Sequence, residues 1–281
     1  MATIGVTEAA VFQKEKASMK ALKARHATLI MGKRIWRLDT DVAVWGASVA
    51  VPLHGTATAN EVGDDGSVSP TTDTPTEITV TLNQEWESSF QITDRVLKQS
   101  HQKNLIEVRS EEAGIALGEQ LEVALLGLYS GLSQSTTAIA DVDEDTILDA
   151  VRQLDNANAP QKDRFGIGKP SQKIAIHKIA RYTEDAIRAG SGKQITTGQI
   201  SLQTHGIRWA FSTLVVTASA QAKNLIWQRD FAGLAVQRKV SVEELDRSGL
   251  RRTFVASHLY GYGEARDDHA VVVATTSNSG T

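Results

Sequence analysis

The chain reads as an α+β protein: a long helix and two long strands form a frame, beside a mixed α/β region and a hairpin with no core of its own. Three observations predict this. Residues 93 to 129 carry apolar positions at helical spacing, and residues 233 to 260 hold two long strands around a polar turn. Residues 46 to 81 hold five acids, no Lys or Arg, and three of the five prolines (Pro52, Pro70, Pro75). Such a segment buries little of itself, so it needs a surface outside its own domain to lie on.

The first element is an amphipathic helix over Glu8 to Ile30, with Phe12, Met19, Leu22, His26 and Leu29 on one face and Lys or Arg on the other. From Lys14 to Arg37 eight Lys or Arg stand against one acid, Glu15, a net charge of +7. Val42 to Pro52 reads as a short buried strand broken at Gly46. Gly63-Asp64-Asp65-Gly66 signals a turn, and Glu77 to Leu82 alternates as a return strand. This hairpin has a net charge of −5, from Glu61, Asp64, Asp65, Asp73 and Glu77.

Thr93 or Asp94 can cap the long helix, which Ser130-Gly131 stops. Its apolar stripe is Leu105, Val108, Ile115, Leu121, Leu125 and Leu128. Gly114 and Gly118 either bend it or admit another backbone. Asp145 or Thr146 can cap a helix ending near Asn156, with Ile147, Leu148, Val151 and Leu154 on one face, and Asn158-Ala159-Pro160 closes it. Gln172 to His177 is expected as a strand and Lys178 to Ala189 as a helix. Strands are expected over Gly206 to Val216, Asn224 to Trp227, Gly233 to Val242, Arg251 to Tyr260 and Ala270 to Thr275, with Asp246-Arg247-Ser248-Gly249 as the turn of the long pair.

Composition narrows the function. The chain has 281 residues, 41% apolar and 22% charged, enough for a sizeable core. A net charge of −3 gives nucleic acid no overall attraction. Without cysteine there is neither a disulfide framework nor a thiolate metal site. The N-terminus lacks the apolar core of a secretory signal, and no apolar run approaches the roughly 20 residues of a membrane helix.

The chemical motifs are fragments. Gly190-Ser-Gly-Lys193 resembles a phosphate loop, but Ile187 stands where its first Gly belongs and Gln194 where Ser or Thr belongs. Asp141, Asp143 and Asp145 have calcium-loop spacing, but Thr146 replaces the turn Gly and Arg152 the bidentate acid. Acids there suit a helix N-terminus. Ser100-His-Gln-Lys103 lacks the companion motifs of a Ser-Lys hydrolase. The seven histidines show none of the usual metal spacings. No catalytic, metal or cofactor residue is assigned, and no enzyme activity is expected.

The order of parts resembles the major capsid proteins of tailed bacteriophages, the HK97 fold. Ile147-Leu-Asp-Ala-Val-Arg-Gln-Leu154 with Asn158-Ala-Pro160 is similar to the family's helix and turn, and Lys173-Ile-Ala-Ile-His177 to the strand after it. Gly198-Gln-Ile200 with Gly206-Ile-Arg-Trp-Ala-Phe-Ser212 resembles its edge strands, and Leu259-Tyr-Gly-Tyr-Gly-Glu-Ala265 with Ala270-Val-Val-Val-Ala274 its C-terminal strands. The resemblance divides the chain into an N-arm (1–44), an E-loop (45–82), the spine helix of a P-domain (83–131), an A-domain (132–229), the long P-domain strands (230–265) and a strand returning to the A-domain (266–281).

It implies a shell protein that assembles with itself as hexamers and pentamers around double-stranded DNA held by weak, non-specific contact. Further implied partners are a portal protein, a separate scaffolding protein and, optionally, a decoration protein. No membrane is implied. The implied location is the virion, assembled in the host bacterial cytoplasm. The 44 residues before the E-loop are too few for the family's long scaffolding segment, which implies the separate scaffold or earlier trimming; the initiating Met argues against trimming. No Lys lies between Lys33 and Lys98, so the E-loop lacks the amine some members use for covalent cross-links.

Candidate assembly contacts are Lys16, Lys20, Lys23 and Arg34 on the basic arm, the five hairpin acids, and Asp246 and Arg247 at the strand turn. Gly46 and Gly55 are candidate hinges. An encapsulin-like compartment of the same fold, which packages enzymes, and a soluble α/β enzyme are the alternative functions.

Overall fold

In the computed structural model of the protein, the residues described are 16–25, 29–39, 46–53, 59–62, 66, 76–99, 104–138, 140–179 and 203–276. The frame is a four-stranded sheet backed by helices. Helix α1 (residues 16–25) precedes a 3-10 turn, Met31–Lys33, and the short strand β1 (Trp36–Arg37). Strands β2 (Ser48–Leu53) and β3 (Thr76–Thr81) form a separate antiparallel ladder. Next come β4 (Gln84–Thr93), α2 (Asp94–Gln99) and the spine helix α3 (Leu105–Leu126). The expected single helix is thus two, and residues 100–103 between them lie outside the described residues. Strands β11 (Ala232–Ser248) and β12 (Arg251–Glu264) complete the frame, whose order is β1-β11-β12-β4.

The expected turn at Asp246–Gly249 is corrected. Pairing continues through Ser248↔Arg251, so Asp246 and Arg247 are strand residues and the turn is Gly249-Leu250. Gly249 has φ +61, the left-handed conformation a two-residue hairpin turn demands and glycine supplies. The polar composition marked the right neighbourhood but not the register.

The second sheet contains β5 (Ser135–Ala138), β6 (Arg164–Gly168), β7 (Gln203–Thr204), β8 (Ile207–Phe211), β9 (Thr217–Ala218), β10 (Gln221–Gln228) and β13 (Ala270–Thr275), in the order β5-β13-β10-β6-β8-β7 with β9 on β10. Its central strands are covered on both faces. Leu225, Trp227, Ala270 and Val272 point to one core, with Leu121, Leu125 and Phe231; Ile226, Val271 and Val273 point to the other, with Ile147 and Leu154. Two-sided burial explains why β13 reads as a continuous apolar run.

Helix α4 (Glu144–Asn156) starts at Asp143, whose carboxylate accepts from Thr146 N–H at 2.8 Å. The cap therefore lies two residues ahead of Asp145, one end of a run of alternating acids that sequence alone could not phase. The helix closes as expected: Asn158 has φ +55, and Ala159 N–H reaches Leu154 O at 2.9 Å.

Residues 172–177 form no strand. They lie in helix α5 (Pro170–Lys178), with Pro170 in the first turn. Gln172 is buried and its Oε1 accepts from Val142 N–H at 2.8 Å, while Ile174 is 60% exposed. The alternation of Ile174 and Ile176 imitated a strand, but proline at the first helical position suits a helix start. The strand expected there falls earlier, at β6. Lys178 closes α5 where a helix was expected to open; residues 180–189 and the segment Gly198–Ile200 lie outside the described residues.

Candidate assembly surfaces

The basic arm lies on its own molecule. Buried Ala17 and Ala21 of α1 pack with Ala113 and Leu117 of α3 and with Val240, Val242 and Ala256 of the sheet. Met19, expected on the apolar face, is 72% exposed. The buried face is alanine because the two helix backbones touch: a Cβ added to Gly114 would stand 2.2 Å from Ala21 O. Gly114 thus admits another backbone, one of its two expected roles. Ser18 adds a reciprocal pair, its hydroxyl donating to Val242 O (3.2 Å) and accepting from Val242 N–H (3.0 Å).

Farther along, Glu122 of α3 caps the 3-10 turn. Its carboxylate accepts from the N–H groups of Ile30, Met31 and Gly32 at 3.2, 2.6 and 3.4 Å. Burial raises its pKa, opposed by those three donors and by Arg34. An acid beside Leu121 in the buried part of an apolar stripe was the signal that sequence reading passed over.

Four of the arm's eight cations are paired, stacked or buried within the chain. Lys20 pairs with Glu107 of α3 at 2.6 Å, and that hydrogen bond lowers the Glu107 pKa. Arg34 lies over the Phe165 ring at 5.3 Å. Arg37 pairs with Asp39, and Arg25 is 1% exposed. Lys16, Lys23 and Lys33 remain exposed. Among the arm residues proposed as contacts, then, Lys16 and Lys23 face outward, whereas Lys20 and Arg34 are engaged within the chain.

The hairpin is anchored at its root. Val49, Val80 and Leu82 cluster with Leu38 and Ala235, and Leu82 N–H donates to Ala47 O at 2.8 Å. The chain crosses β12 at Gly261, where an added Cβ would stand 2.3 Å from Thr81 O. Gly46 has φ +144, a conformation that favours glycine, and its carbonyl accepts from Gln237 Nε2 at 3.3 Å. Glu61 and Glu77 are exposed. Gly55, Asp64, Asp65 and Asp73 lie outside the described residues.

The sheet face opposite α1 and α3 holds an open trough of about 420 Å³ lined by Glu85, Glu87, Arg238, Glu243, Leu245, Val255 and Ser257. Arg238 pairs with Glu85 at 3.2 Å and donates to Ser257 at 3.2 Å. Among the described residues no group of three or more His, Asp or Glu could hold a metal ion, and no helix is long and apolar enough to cross a membrane.

No protein-family model matches the chain, and no curated protein matches it. Solved structures do. One titled Mycobacterium phage Che8 shares 18% identity at a TM-score of 0.71, covering 87% of this chain and 90% of its own. The capsid structure of the cyanophage P-SCSP1u shares 14% at 0.68, covering 89% and 88%. A virus-like particle from Pyrococcus furiosus shares 14% at 0.61, covering 92% and 98%. The expected HK97-like fold is the fold of this chain.

Proposed function

We propose, from an HK97-like fold matched along nearly its whole length, that this chain is the major capsid protein of a tailed phage and assembles into an icosahedral shell around double-stranded DNA. The observation that carries this reading is the length-matched likeness. A phage capsid chain corresponds over 89% of this chain and 88% of its own. The role is structural: the polar side chains traced above cap, pair and anchor elements.

A shell closes through many modest interfaces, each of roughly 1,000–2,000 Å², whose effects multiply on a lattice. In this reading the hairpin reaches a neighbouring copy, with Glu61 and Glu77 meeting cations such as Lys16 and Lys23. Copies group as hexamers and pentamers, a separate scaffold guides them, and a portal admits the genome. Electron microscopy and sedimentation of the purified full chain test this. Closed shells or capsomer rings support it; a monomer or dimer at every concentration overturns it.

The second reading is an encapsulin-like compartment of the same fold: a Pyrococcus particle described as virus-like also matches, over 98% of its own length, at a lower TM-score than the phage structures quoted. Particles from the source organism decide between them, since a capsid carries double-stranded DNA and a compartment carries protein.

A further inference from the structure

The inner face of the frame holds a buried polar cluster that shell assembly does not use. Arg25, at the end of α1, is 1% exposed, and His258 and Tyr260 of β12 are fully buried. The two rings lie 4.8 Å apart, as side chains two residues apart on one strand face should. Arg25 Nε and Nη2, both ring nitrogens of His258 and the Tyr260 hydroxyl make no hydrogen bond. Buried polar groups almost always find a partner, and a water or ion between them is one way to satisfy orphans of this kind. Nε and Nη2 are adjacent donors on one edge of the guanidinium, the fork that grips an anion side-on.

Among the described residues the one carboxylate whose charge acts on Arg25 is Asp39, and it is already engaged. Its Oδ2 accepts from both Arg37 Nε and Nη2, and its Oδ1 accepts from Val236 N–H. Two guanidinium groups therefore face one acid. Burial and the repulsion of Arg37 lower the pKa of Arg25 only to about 10, so it stays cationic at neutral pH. Water could answer the hydrogen bonds but not the excess charge. A cation placed in this interior without a counter-charge is strongly disfavoured.

We propose that a small inorganic anion of the chloride class binds between the end of α1 and β12, gripped by Arg25 and completed by the N–H of neutral His258 and the O–H of Tyr260. One negative charge balances the cluster. The ion ties the arm helix to the frame from inside. The inference does not depend on the shell reading.

Bromide is the probe. A structure of the full chain in bromide is expected to show an anomalous peak beside Arg25 Nε and Nη2. Thermal unfolding in chloride, against gluconate at equal ionic strength, is expected to rise by about 3 °C per tenfold increase in chloride above its Kd. Arg25→Met should abolish that rise and Tyr260→Phe should weaken it. No bromide peak, or an equal chloride response in wild type and both variants, overturns the proposal. If Arg25→Met does not fold, the peak and Tyr260→Phe decide.

Discussion

Glu122 shows how one side chain fixes the course of the arm. Three N–H groups converge on its carboxylate. Glu122→Ala would leave all three unpartnered, those of Met31 and Gly32 buried, at a cost of about 3 kcal/mol, while Glu122→Gln keeps one acceptor oxygen and should cost less. Urea unfolding of both variants measures the difference; equal stabilities would show that the cap is dispensable.

His258 makes a pH prediction. With no anion bound, burial, then Arg25 and Arg37, lower its pKa to about 3, against about 6.5 in an unfolded chain. Between those values the unfolded state binds a proton that the fold refuses, so the stability His258 leaves in place above pH 6.5 is lost as pH falls towards 3, by at most about 1.4 kcal/mol per pH unit. Glu122 opposes this, because a raised acid pKa makes its burial less costly as pH falls. His258→Gln should flatten the pH dependence of the urea midpoint below 6.5.

Two glycines decide how elements meet. At Gly114 the arm helix touches the spine helix backbone to backbone, and at Gly261 the hairpin root crosses β12. Gly114→Val would push α1 off the spine, costing about 3 kcal/mol. Amide exchange should rise in residues 16–25 and leave the second sheet protected. Gly261→Val should instead loosen β2 and β3 and leave α1 protected. Exchange that rises everywhere in both variants would mean that these contacts are not local. Such close approaches suit glycine because any side chain would occupy the space of a backbone carbonyl.

Across copies, the exposed charges left after folding are the ones available to an interface. Reversing Lys16 and Lys23 to Glu should lower particle yield several-fold and leave the thermal midpoint nearly unchanged, because exposed charges contribute little within a chain. Unchanged yield in electron micrographs would remove these lysines from the interface. Reversal of Lys20 is a weaker probe, since it also breaks the pair with Glu107. Boiled, detergent-treated shells should run as single chains, because the hairpin carries no lysine for a cross-link.

Sequence by itself determined the element inventory wherever local chemistry is unambiguous. Continuous or alternating apolar runs gave β11, β12 and β13, the Asn158 turn closed α4, and the acidic, proline-containing span gave the hairpin. Only the tertiary structure decided which face each element buries. Met19 looked like core and lies exposed, while Ala17, Ala21 and Glu122 looked unremarkable and lie buried. Periodicity reports that a face exists; what lies opposite chooses the residues that fill it. The basic arm is the clearest case, because its charge could be counted in the sequence but its partners Glu107 and Glu122 meet it only after the chain has folded back on itself.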